Sequence, residues 1–106
     1  AKTSAVHRHA MTSAADASTT EATQLTNLFS GRPARGQSNQ LMQTLGALRD
    51  DLPAFPLCSG LLAPLRAAAE AQNRDDFSPL WAGTALQDCR VTSAAEVTQR
   101  LVAETF

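Results

Sequence analysis

The spacing of apolar and polar positions predicts a mainly helical chain with one short β-strand. The first helix is predicted from Ser4 to about Ser18, where small apolar side chains recur at helical spacing on one face. They are Val6, Ala10, Ala14 and Ala17. One valine and three alanines bury little area, so this helix is expected to need a large partner surface.

The strand is predicted over residues 23–29, where Leu25, Asn27 and Phe29 alternate with their neighbours. The run ends at Ser30, which is followed by a glycine. A single strand cannot satisfy its own backbone hydrogen bonds. The sequence shows no second strand that could pair with it, so we expect its partner to lie outside the chain.

Further helices are predicted over residues 34–49, 64–72 and 79–88, and from residue 94 to near the C-terminus. Leu41, Leu45 and Leu48 form the apolar stripe of the first of these helices. Pro64 suits the first helical position of the next one, where its missing N–H has no cost. The last helix begins at an S-x-x-E capping box that starts with Ser93.

Length and charge narrow the classes of function. The 106 residues correspond to about one small domain. The net charge is −1 and no basic stripe is present, which argues against binding to nucleic acid. The chain has no apolar run long enough for a transmembrane helix and no apolar core of a secretory signal near its N-terminus. We therefore expect a cytoplasmic protein that binds neither nucleic acid nor membrane.

The chain offers few residues for a metal site or a disulfide. His7 and His9 are the only histidines, and at this spacing on a helix they point in different directions. Both are expected to face solvent, and no metal site is expected. Cys58 and Cys89 lie far apart in no CxxC pattern, which favours two reduced thiols and leaves a disulfide as the alternative.

Four short motifs occur in order along the chain. The run LTNLFSGRPARG occupies residues 25–36 and is followed by Asn39. The runs PAFPL, PLRAAA and LWAG occupy residues 53–57, 64–69 and 80–83. Together they resemble the LT-x-x-FSGRPARG-x-x-N, P-x-[FY]-PL, PLRAAA and LWAG segments of bacterial nitronate monooxygenases, the 2-nitropropane dioxygenase family. The resemblance extends from about residue 20 to the C-terminus.

This resemblance implies a fold and a cofactor. Members of the family are similar to flavin-binding (β/α)₈ TIM barrels that carry an added helical subdomain. By resemblance, residues 1–22 are the last barrel-associated helix and a linker, and residues 23–106 are a C-terminal helical subdomain that covers the substrate. The FMN-binding barrel is expected to be absent from the chain. FMN is then bound by that barrel, whose catalytic His also precedes this region, so no catalytic residue is assigned here.

The resemblance also implies an activity, with alternatives. The first hypothesis is the C-terminal part of an FMN-dependent nitronate monooxygenase that oxidises alkyl nitronates with O2 and is inactive without its barrel. This hypothesis predicts uncovered apolar faces beside Leu25, Phe29 and the first helix. A non-enzymatic helical interaction module and a truncated remnant are the alternatives, and within the fold a flavin-dependent enoyl-reductase-like enzyme is a further one. The expected partners are the barrel and a nitronate substrate, and a homodimer stays open.

Four residues are candidates for contact with the cofactor. Arg32 and Arg35 could present guanidinium groups to a barrel mouth or a carboxylate, or they could pair within a strand-to-helix turn. Trp81 and Gly83 could form a wall beside the flavin pocket, or they could be a core tryptophan and a packing glycine.

Two positions depart from the family's motifs. The family usually has Gln after the PL of the second motif, where this chain has Cys58, and after WAG, where it has Thr84. Gln carries donors and an acceptor at the end of a long stem, and neither Cys nor Thr reaches as far. Any ordering of loops near a flavin by those Gln residues is therefore in doubt in this chain.

Overall fold

The computed structural model describes residues 3–17 and 22–106. The described elements are helix α1 (Ala5–Ala17), strands β1 (Thr23–Thr26) and β2 (Ala34–Gln37), and helices α2 (Gln40–Leu45), α3 (Leu57–Glu70) and α4 (Ala94–Thr105). A short 3-10 helix, Leu86–Asp88, lies between α3 and α4. The architecture is mainly helical, with one two-stranded antiparallel sheet.

Helix α1 agrees with the pattern that predicted it. It follows Ser4, whose hydroxyl accepts a hydrogen bond from the backbone N–H of His7 at 3.2 Å. Ala10 is buried on its inner face. The alanines at positions 14 and 17 were predicted to share this face, and their side chains lie outside the described residues. His9 is exposed as expected, but His7 is half-buried. The expectation for His7 was wrong because it lies beside Val6, at the margin of the inner face.

The expectation of a single strand was wrong. β1 pairs antiparallel with β2, with Thr23 opposite Gln37 and Thr26 opposite Ala34. Three of the four residues of β2 (ARGQ) have high helix propensity, whereas Gly36 has low propensity. Pairing with β1 overrides that weak preference, because each strand supplies the donors and acceptors that the other requires.

The predicted strand also ends earlier than expected. β1 stops at Thr26, and the N–H of Gly31 closes a turn by donating to the carbonyl of Asn27 at 2.9 Å. The Asn27 side chain links this turn to Arg49 by donating to its carbonyl at 2.7 Å and accepting from its N–H at 3.0 Å. Because the chain turns here, Leu28 and Phe29 do not alternate between faces, and both are buried. The expectation that Phe29 would be uncovered was therefore wrong, whereas Leu25 is exposed as predicted.

The core lies between this turn and α2. It contains Leu28, Phe29, Leu41 and Met42, with partly buried residues packed around them. The prediction of one helix over residues 34–49 was wrong, since α2 has six residues and ends before Gly46, which has a φ of 83°. The predicted leucine stripe is correspondingly incomplete: Leu41 is buried, whereas Leu45 and Leu48 are exposed.

Two further helix predictions differ from the structure. α3 begins at Leu57, so Pro64 lies inside the helix, where it leaves the carbonyl of Gly60 without its usual partner. Gly60 and Pro64 are both exposed, so water can satisfy this carbonyl. The helix expected over residues 79–88 is absent from the described structure, which has an extended segment there followed by the 3-10 helix. α4 is confirmed with its capping box, yet it has no buried residue.

Candidate functional site

The two most distinctive motifs meet at the open edge of the sheet. The segment around Trp81 pairs with β2 through an antiparallel bridge to Gly36. The N–H of Gln37 donates to the carbonyl of Leu80 at 2.9 Å, and the N–H of Ala82 donates to the carbonyl of Arg35 at 3.2 Å. The structure thus joins the LWAG motif to the end of the GRPARG motif.

Gly36 permits this close pairing without displacement of its neighbours. A Cβ at this position would lie 3.0 Å from the carbonyl oxygen of Leu80 and 3.2 Å from Cε3 of Trp81. Both contacts are tighter than ordinary packing, and one of them is to rigid backbone. The indole of Trp81 therefore lies directly over the backbone of Gly36. This contact was not predicted from the sequence, although Gly36 belongs to the first motif.

Trp81 is anchored on one side and open on the other. Its ring meets Phe29 edge to face, with centroids 5.7 Å apart and planes at 87°. Phe29 is buried, while Trp81 is 38% exposed. Edge-to-face geometry is favourable for aromatic pairs. The arrangement fixes the orientation of a ring that still presents part of its surface to a ligand or a covering surface.

The side chain of Arg35 does not lie on the same face of the sheet as Trp81. Side chains of adjacent strand residues point to opposite faces, and Gly36 shares its face with Trp81, so Arg35 points to the other side. There its Nη1 donates to both the carbonyl and the hydroxyl of Thr23, each at 3.3 Å. The guanidinium of Arg35 thus bonds across the sheet, from within β2 and not within the expected strand-to-helix turn.

Arg32 lies in a different environment. It is exposed, and its guanidinium carbon stands 4.7 Å from the centroid of the Phe55 ring, which is itself half exposed. None of the ion pairs within residues 3–17 and 22–106 includes Arg32. A guanidinium over an aromatic face is held in place while its N–H groups stay available. Phe55, between two prolines, was not singled out from the sequence.

The remaining positions of interest contribute less. Gly83 is exposed, and a Cβ there would meet no atom within 4 Å, so no close backbone approach requires this glycine. Cys58, one of the two departures from the family's motifs, is buried, with its thiol 3.5 Å from the carbonyl oxygen of Pro53. Thr84, the other departure, is exposed. Both cysteines are free thiols, as the sequence favoured.

Asn39 has a structural role. Its side-chain oxygen caps α2 by accepting from the N–H of Met42 at 3.2 Å, and its amide donates to the carbonyl of Ser78 at 3.1 Å. Glu70 makes a comparable link at the end of α3. Bonds from Arg66 and then from the hydroxyl of Ser78 hold the pKa of Glu70 below its ordinary value. These contacts fix the segment that leads to Trp81.

The described residues do not fit a flavin on their own. A phosphate is usually held by successive free N–H groups of a glycine-rich loop or a helix N-terminus. Here Gly31 and Gly36 each pack against other parts of the chain, and α4 starts at a closed capping box. The four predicted residues are dispersed: Arg35 and Trp81 lie on opposite faces, Arg32 lies beside Phe55, and Gly83 borders open space.

Two other features, a metal centre and a membrane-spanning helix, are absent from the part of the chain that the structure describes. No cluster of three or more His, Cys, Asp or Glu side chains there is placed to hold a metal ion. No helix in that part combines the length and the apolar character that a membrane span requires.

Comparison with known proteins gives a consistent result. A family model described as nitronate monooxygenase matches residues 1–104. The chain is 28% identical over 80 residues to a probable nitronate monooxygenase of Staphylococcus saprophyticus. The matched region covers 76% of this chain and 21% of the relative. It is 35% identical over 65 residues to a probable nitronate monooxygenase of Bacillus subtilis, covering 61% of this chain and 19% of the relative. The chain therefore spans about a fifth of the length of the curated relatives it matches.

Proposed function

Because the chain belongs to the nitronate monooxygenase family, we propose that it is the C-terminal part of an FMN-dependent enzyme that oxidises alkyl nitronates with O2. In this proposal the flavin and the catalytic base belong to a barrel that precedes these residues. The chain supplies a helical subdomain and has no activity alone.

One structural observation carries this proposal beyond family membership. α4 has no buried residue, and Val97, Leu101 and Val102 are exposed along it. An amphipathic helix gains most of its stability by packing its apolar face on another surface. The described chain offers α4 no such surface, which supports a larger protein in which this helix is covered.

Trp81 is the side chain that the proposal assigns to the substrate side. Its ring is partly exposed, and Phe29 and Gly36 restrict its orientation. An aromatic wall of this kind can exclude water and hold a small apolar substrate. We assign Arg35 to the support of this wall, because its hydrogen bonds to Thr23 join β1 to the strand that Trp81 pairs with.

One observation favours an alternative function. The sheet pairs within the chain, and Leu28, Phe29, Leu41 and Met42 form a core from the chain's own residues. This self-contained part is what a stand-alone helical interaction module requires. Enoyl-reductase-like chemistry within the same fold is distinguished from nitronate oxidation by the substrate that is turned over.

The test compares the isolated chain with a joined protein. In the joined protein, this chain replaces the matched region of the Staphylococcus saprophyticus relative. The visible flavin absorbance and the O2 uptake with an alkyl nitronate are measured for both. We expect the joined protein to retain flavin and consume O2 with nitronate, and the isolated chain to do neither.

The controls separate the alternatives. The relative's own matched region, recloned through the same junctions, reports any damage from the joining itself. An enoyl thioester with reduced nicotinamide cofactor is supplied as the competing substrate. Flavin retention and nitronate oxidation by the isolated chain would overturn the proposal. Nitronate oxidation by the recloned relative together with a flavin-free joined protein would favour the interaction module.

A further inference from the structure

α3 carries an apolar stripe that its own chain does not cover. Leu57, Leu61 and Leu65 are spaced four residues apart, so they lie along one side of the helix. They are 62%, 70% and 44% exposed. The stripe lies beside the buried edge of α3, which contains Cys58 and Ala69. The helix thus has an apolar face that is wider than the part that contacts the core.

Two further exposed residues, Phe55 and Arg32, lie next to each other just before the start of the helix in the fold. Phe55 is half exposed, and Arg32 stands over its ring. Gly31 holds the two segments together: its φ is 95°, and a Cβ there would lie 3.0 Å from the carbonyl oxygen of Pro53 and 3.1 Å from the N–H nitrogen of Phe55. The packing of Gly31 on this backbone therefore keeps Arg32 beside Phe55, two residues before the first leucine of the stripe.

We infer that this α3 face, defined as Arg32, Phe55, Leu57, Leu61 and Leu65, is the docking surface for the remaining four-fifths of a nitronate-monooxygenase-type protein. The inference rests on the proposed function. The covering surface is apolar along the leucines and presents a carboxylate to Arg32. Buried aromatic and Arg side chains at such a contact contribute strongly to binding.

Two observations favour this occupant over a second copy of the chain. The curated relatives extend well beyond the matched region, and the Staphylococcus saprophyticus relative is matched over only 21% of its length. A symmetric contact through the α3 face would also leave Arg32 without an acid. The only carboxylate on α3, Glu70, is already engaged by Arg66 and by the hydroxyl of Ser78.

The test maps solvent exposure by carbene labelling of side chains in the isolated chain and in the joined protein described above. We expect labelling of Leu57, Leu61 and Leu65 to fall several-fold in the joined protein. Ala63, which is exposed on another side of α3, is expected to keep its labelling and serves as the internal reference.

Two matched substitutions give a second readout. Leu61→Glu is expected to lower the thermal unfolding midpoint of the joined protein and to leave that of the isolated chain nearly unchanged, because Leu61 is exposed there. Ala63→Glu introduces the same charge on the same helix outside the stripe and is expected to affect neither. Arg32→Gln is expected to lower the midpoint of the joined protein most at low salt.

The outcomes separate this inference from the proposed function. A joined protein that oxidises nitronate while the stripe stays fully labelled overturns the inference and leaves the function standing. A joined protein that lacks nitronate activity although its stripe is protected overturns the proposed function and leaves the docking surface standing. Labelling of the isolated chain that falls with protein concentration would make a second copy the occupant, and would overturn the inference.

Discussion

At the scale of single residues, two glycines illustrate how position decides the effect of a side chain. Gly31 has a φ of 95° and packs against the backbone of Pro53 and Phe55, so it holds the turn that carries Arg32. Gly60 lies inside α3, and a Cβ there would meet no atom within 4 Å. The sequence does not distinguish these two glycines, yet only Gly31 is required by the fold.

This contrast gives a matched pair of predictions. Gly31→Ala is expected to lower the free energy of unfolding by about 1–3 kcal/mol, because an L side chain is strained at positive φ and has no room here. Gly60→Ala is expected to raise it by about 0.5–1 kcal/mol, since Ala loses less backbone entropy in a helix. Urea unfolding of the two variants and the parent measures both changes. Equal effects of the two substitutions would contradict the assignment of Gly31.

At the scale of elements, the contacts between segments depend on a few polar links. Glu70 at the end of α3 accepts from Arg66 at 2.7 Å and from the hydroxyl of Ser78 at 2.7 Å. Asn39 at the start of α2 donates to the carbonyl of Ser78. Both helices are thereby tied to the segment that precedes Trp81. α2 has only six residues, so such links matter more for it than its helix propensity.

The Glu70 link predicts a pH dependence. Because its pKa is lowered in the folded state, the link stabilises the fold above the unfolded pKa of about 4.3. That stability is lost as the pH falls through the lower folded pKa. Urea midpoints measured from neutral to acid pH should therefore fall more for the parent than for Glu70→Gln. Glu104→Gln, which removes an exposed pair with Arg100, is the control and should follow the parent.

The bridge between β2 and the Trp81 segment gives the second prediction at this scale. Gly36→Ala places a Cβ against the carbonyl of Leu80 and the indole of Trp81. We expect the segment to separate from β2, with a loss of about 1–3 kcal/mol in the free energy of unfolding from overpacking. Trp81 is the only tryptophan, so its fluorescence should shift towards that of a solvated indole. An unchanged emission spectrum in a folded variant would contradict the proposed contact.

At the scale of the whole molecule, the described structure does not pack into one compact unit. The radius of gyration is 15.3 Å, whereas a compact chain of this length has about 13 Å. The difference agrees with the exposure of α4 and of the α3 face. A core around Phe29 and Met42 coexists with apolar faces that need another surface.

This arrangement predicts uneven local stability. In the isolated chain, the amides of α4 are expected to exchange with solvent much faster than those of β1 and β2, because α4 has no buried residue. Ser93→Ala removes the capping box and should accelerate exchange in α4 alone. Hydrogen exchange followed by mass spectrometry measures both effects. Slowed exchange in β1 and fast exchange in α4 would agree with this picture, whereas equal protection would show that α4 is covered.

Sequence alone was sufficient where the signal is local. The helical spacing in α1 and the Ser93–Glu96 capping box were predicted and are confirmed. The motifs around the GRPARG run predicted the family, which the family model confirms. These features depend on residues close together in the chain, so they can be recognised without knowing what lies opposite them.

Tertiary structure decided the rest. Three of the four residues of β2 have high helix propensity, and only hydrogen bonds to β1 and to the Trp81 segment make it a strand. Phe29 is buried because the chain turns at Asn27, and Trp81 lies beside it because Gly36 permits a close pairing. The separation of Arg32 from Arg35 likewise follows from contacts with Phe55 and Thr23. Each of these outcomes is set by partners distant in sequence, whose hydrogen bonds and packing outweigh local preferences of a few tenths of a kcal/mol.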